Sequence, residues 1–62
     1  RKRVQALETE IADLEAQMTQ ITTAIEEASE TGDVAKVIEL SHTYAETETT
    51  LDERMTEWMN LA

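Results

Sequence analysis

The chain contains no cysteine and no proline, a single glycine, no phenylalanine, one tryptophan and one tyrosine. Without cysteine, neither a disulfide nor a thiolate metal site can staple the fold. With no proline and only Gly32, turn signals are nearly absent, which argues against a multi-stranded β fold. No apolar run approaches the ~20 residues needed to span a bilayer. A charged-then-apolar secretory segment is also missing. Basic residues are scarce: 5 Lys and Arg stand against 14 Asp and Glu, a net charge of −9 over 62 residues. A chain below about 70–80 residues needs a staple or very regular helix packing to be stable. Only the second option, or a partner, is open here.

The charge is unevenly spread. Arg1, Lys2 and Arg3 carry +3, and residues 4–62 hold only Lys36 and Arg54 against every acid. Such a body repels phosphate backbones, because nucleic-acid affinity rests on Lys and Arg contacts that release counterions. Binding of duplex DNA through the acidic body is therefore not expected. The basic triplet is a possible phosphate contact, but a linker end at residues 1–3 is the plainer reading. The first residue is Arg rather than Met, so we expect a piece of a longer, cytoplasmic protein.

What is present is periodicity. Val4, Leu7, Ile11, Leu14, Met18, Ile21, Ile25 and Ala28 follow one another at alternating steps of three and four. That is a heptad with apolar a and d positions, the pattern of a helix that needs a helical partner. Acidic and amide residues such as Glu8, Glu10, Asp13, Glu15 and Gln17 flank the seam. A membrane-surface helix would instead carry a basic polar face. The pattern breaks at Glu30-Thr31-Gly32-Asp33. Gly32 can adopt the positive φ that ends a helix, and Asp33, or else Thr31, can cap the next one.

A second helix is expected over about 34–61, after a first over about 4–29 and a turn over about 30–33. Val37, Tyr44, Leu51 and Trp58 recur every seven residues and anchor its register. The alternate seam positions are either Leu40, Thr47, Arg54 and Leu61, or Ser41, Glu48, Met55 and Ala62. We expect a mixture, with Leu40 and Thr47 inside near the loop, and Met55 and Leu61 inside near the open end. The many threonines lower helix propensity, so this helix depends on the first for its stability. Folding about the turn pairs residues whose numbers sum to roughly 62, given a rise of ~1.5 Å per residue in both helices. The expected fold is all-α: a two-helix antiparallel coiled-coil hairpin of roughly 40 Å. Trp58 should cover the open end and be the costliest side chain to truncate, at about 3 kcal/mol if well buried. A monomeric hairpin is favoured.

No catalytic set emerges. One glycine cannot form GxxxxGK[ST] or GxGxxG. His42 stands beside Ser41 and Thr43 without a pocket, which fits a solvated side chain rather than a triad. Glu26, Glu27, Glu30 and Asp33 cluster near the turn, yet their spacing does not match a calcium loop. Neither a metal nor a cofactor is expected in this segment.

Taken whole, the pattern resembles the C-terminal coiled-coil domain of ABC-F type ATP-binding cassette proteins. The first helix reads Leu7-Glu8-Thr9-Glu10-Ile11-Ala12-Asp13-Leu14-Glu15, like that family's LExEIxxLExxI. The loop Thr31-Gly32-Asp33 follows, then Val34-Ala35-Lys36-Val37-Ile38-Glu39-Leu40. The end, Glu57-Trp58-Met59-Asn60-Leu61, is similar to the family's EWxxL or RWxxL. The resemblance implies upstream ATPase domains that use ATP and Mg, and a role at the ribosome or in translation-linked regulation. It implies structural roles for Trp58 and Leu61 and carries over no catalytic residue. The chain departs from nucleic-acid-binding relatives in lacking a basic face after Arg3. Two alternatives stay open: an arm of another translation or nucleic-acid-associated protein, or a self-associating structural coiled coil.

Overall fold

A computed structural model describes all residues 1–62. It contains two helices, α1 (Lys2–Thr31) and α2 (Val34–Leu61), and no strand. They pack against each other along their length as an antiparallel hairpin measuring 46 × 14 × 11 Å. Contacts between Arg3 and Glu57, Glu10 and Arg54, and Glu8 and Trp58 set the register. Their residue numbers sum to between 60 and 66, around the value of 62 that equal helical rise dictates.

The turn follows from two residues. Gly32 takes φ 75° and ψ 21°, the left-handed conformation that costs other residues a clash of their Cβ. Its N–H donates to Ser29 O at 3.1 Å, and the Asp33 N–H donates to Ala28 O at 2.9 Å. Those two bonds satisfy carbonyls that the end of α1 leaves unpaired. Asp33 then caps α2, its Oδ1 accepting from the Lys36 N–H at 3.1 Å. Thr31 stays in α1 and donates its hydroxyl back to Ala28 O. The connection is therefore tighter than the expected 30–33, because α1 runs to Thr31.

At the other end, α1 starts at Lys2, so Lys2 and Arg3 are helical. Three cations there oppose the helix macrodipole, and Arg1 makes no capping bond through its side chain. The compensation is lateral, since Arg3 reaches across to α2.

Two helices make a seam, not an enclosed core, since no third layer covers their outer sides. Leu7 is the one fully buried large side chain, and Ala28 and Thr47 are the other buried residues. Val4, Ile11, Leu14, Met18, Ile21 and Ile25 of α1 are half-buried, as are Val37, Leu40, Tyr44, Leu51 and Trp58 of α2. Thr47 keeps its hydroxyl satisfied by donating to Thr43 O at 2.8 Å. Seven further threonines also bond back to the carbonyl four residues earlier.

Two core expectations are overturned. Met55 is 41% exposed and Leu61 is 50% exposed. In α2 the phase of Leu40 and Thr47 continues to Arg54, which is half-buried, while Glu48 is exposed. Met55, one residue further on, is rotated ~100° away from the seam. Leu61 is the last residue of α2, at the open end of the pair. Trp58 is also less enclosed than expected, and Leu7 replaces it as the best-buried large side chain.

Candidate functional site

The side chains that do more than pack gather at the open end, on two lateral faces of the hairpin. On one face Arg3 grips Glu57 with two bonds: Nε donates to Oε2 at 2.6 Å and Nη2 to Oε1 at 2.8 Å. This fork-on-carboxylate geometry is the strongest form of a side-chain ion pair. The bond from Arg3 holds the Glu57 carboxyl below its usual range, with the positive charges of Arg3 and Arg54 adding to the effect. Reciprocally, the bond to Glu57 raises Arg3, helped by the charges of Glu57 and Glu10. Arg54 Nε lies 3.5 Å from Glu10 Oε2, an oxygen shut off from solvent and otherwise without a hydrogen-bond partner. Arg3, Glu57, Arg54 and Glu10 thus form an alternating quartet of two cations and two anions across the helix pair.

The other face is apolar. Ile11, Ala12, Met55 and Trp58 line a shallow groove between the helices, framed by Glu8 and Glu15. The Trp58 indole N–H donates to Glu8 Oε2 at 3.3 Å, which satisfies its polar edge and fixes the ring against the groove. An adjoining recess is lined by Arg1, Val4, Gln5, Glu8 and Ala62, so the two share Glu8.

Of the basic triplet, Arg1 and Lys2 are exposed, whereas the Arg3 guanidinium is already held by Glu57. His42 is exposed. The Ser41 hydroxyl donates to Val37 O at 2.8 Å. Glu26, Glu27, Glu30 and Asp33 are all exposed, and no three acidic or imidazole groups converge as metal ligands. The one glycine ends a helix.

Sequence reasoning missed the quartet. A signal was present, because Arg54 is the only cation after Lys36 and the sum rule sets it near Glu8 and Glu10. Hydropathy alone treats Arg54 only as a seam position, and Glu57 stands out only beside Trp58 in the terminal motif.

A helical hairpin is a common shape, so geometry alone assigns no family. Comparison with protein-family models decides it: the model for the ABC transporter C-terminal domain matches residues 1–62. The chain belongs to that family. No curated protein and no solved structure matches it. The ABC transporter C-terminal domain is typical of ABC-F proteins and implies association with ATPase domains. Within the domain itself, the quartet and the Trp58–Glu8 bond join the two helices. No helix of the domain is long and apolar enough to cross a membrane.

Proposed function

We propose that this hairpin is a non-catalytic interaction arm of an ABC-F ATPase that acts at the ribosome or in translation-linked regulation in the cytoplasm. The ATPase domains of that protein bind and hydrolyse ATP with Mg, and the arm projects from them. The family match across residues 1–62 carries this reading. Shape and charge support it. Antiparallel helices put both chain ends at one end of a 46 Å rod, so a body attached there holds the Gly32 tip at a distance. The tip carries exposed Val34 and Ile38 among Glu30, Asp33 and Glu39, a surface suited to a protein with basic side chains rather than to a phosphate backbone. Arg1 and Lys2 remain the only unpaired cations near the base and are the positions for any phosphate contact.

The test compares the full-length ATPase with a version lacking the hairpin. ATP hydrolysis is retained, while co-sedimentation with ribosomes falls. Unchanged ribosome co-sedimentation after the deletion overturns the proposal. Residues 4–62 are expected to show no measurable binding to duplex DNA at physiological salt; a micromolar complex in a fluorescence titration reverses that.

A further inference from the structure

Large apolar side chains remain exposed in two places on the finished hairpin: Val34 and Ile38 at the tip, and Met55, Met59 and Leu61 at the open end. The open-end set is the more organised. Met55 and Met59 are four residues apart and so share one side of α2. Met55 lies in the groove with Ile11, Ala12 and Trp58. The opposite lateral face, by contrast, is lined mostly by polar and charged residues: Glu10, Asp13, Leu14, Gln17, Thr50 and Arg54. One side of the open end therefore carries two ion pairs, and the other is apolar and uncovered.

We propose that the groove of Ile11, Ala12, Met55 and Trp58, extended by Met59, seats the hairpin on the ATPase domain that precedes it. This rests on the reading of the chain as an arm of an ABC-F ATPase. The family implies association with ATPase domains, and in a C-terminal domain they precede the hairpin in the chain, on the side of its open end. Arg1 lines the recess that continues into the groove through Glu8. The patch is too small for a free complex, which needs about 1,000 Å² or more of buried surface. Linkage within one polypeptide removes that requirement, because a tethered partner is present at a high effective concentration. Methionines suit the role, since their unbranched thioethers adapt to an irregular partner surface. Trp58 is pinned by Glu8 and presents a rigid aromatic anchor. The rim dictates the partner's charge. Glu8 and Glu15 frame the groove, so the docking patch on the ATPase domain is apolar with a Lys- or Arg-bearing edge. A second copy of this chain, at −9 and with the same acidic rim, sets like charges against each other and is disfavoured.

The experiment uses the full-length ATPase with a photoactivatable residue at position 59 or, for comparison, at position 38. Position 59 is expected to cross-link within the same molecule to the ATPase domain, about tenfold more than position 38, as tethered docking requires. The double substitution Met55→Glu with Met59→Glu alters only exposed side chains. It should leave helicity unchanged by circular dichroism and raise hydrogen exchange of residues 51–62 about tenfold. Glu15→Lys should weaken the cross-link most strongly at low salt. Cross-links from position 59 to a second copy or to a ribosomal protein, or exchange unchanged by the double substitution, overturn the proposal. The two readings fail separately. Lost docking with hairpin-dependent ribosome association intact refutes this surface alone. Retained docking without any such association refutes the wider function alone.

Discussion

At the tip, two residues of chain join α1 to α2, whereas at the open end nothing covalent links Lys2 to Leu61. The two ends are built accordingly. The tip relies on backbone: a left-handed glycine, two bonds to the carbonyls of Ala28 and Ser29, and the Asp33 cap. Its buried residue is the small Ala28. The open end relies on side chains: Leu7 fully enclosed, the Arg3–Glu57 fork, Arg54 beside Glu10, and Trp58 bonded to Glu8. Helix ends fray unless tertiary contacts hold them. A loop already restrains the tip, so side-chain specificity is concentrated at the end that lacks one.

The contrast can be broken most directly at Leu7. Leu7→Ala should cost about 3 kcal/mol, a large share of what a domain this small possesses. A thermal melt followed by circular dichroism should show a severely lowered midpoint, and an unaltered midpoint would show that the open end is not anchored there. Trp58→Ala follows, at about 2 kcal/mol, because the ring is only half-buried and part of its area faces water already. Tip substitutions should be milder. Gly32→Ala should cost about 1 kcal/mol through its positive φ alone, since an added Cβ meets nothing within 4 Å. Asp33→Ala should cost a similar ~1 kcal/mol through the lost cap. If either tip change outweighs Leu7→Ala in urea titration, the division of labour is reversed.

The smallest effect sharpens the comparison by pH. Glu57 is depressed from an ordinary value of 4.5. Its contribution is therefore complete above about pH 4.5 and is lost as the pH falls through the lower, folded value. Arg3 is raised and stays charged throughout this range. Glu57→Gln should lower the melting midpoint slightly at pH 7, and the difference from the parent should vanish in strong acid. A Glu57→Gln difference that persists unchanged at pH 2 would assign the effect to packing instead.

The heptad from Val4 to Ala28 and the lone break at Gly32 made two antiparallel helices legible from residue order, because periodicity and a single turn leave few alternatives. Register was legible to within a few residues, since equal rise on both sides of one loop fixes it arithmetically. The phase of α2 near its end was not. Met55 and Arg54 are neighbours, and hydropathy alone favours Met55 inside. The finished hairpin leaves Arg54 half-buried at the seam edge, where its guanidinium meets Glu10.

Sequence by itself thus determined an all-α hairpin and an acidic surface, since these depend on local spacing and residue type. Only the tertiary structure decided which side chains meet across the pair. A fork between Arg3 and Glu57, 54 positions apart, exists only once both helices are in place. So does the inequality between an ion-paired face and an uncovered apolar one. Both depend on how each helix is rotated about its axis, and that rotation is set by the partner helix, not by the residues next in line.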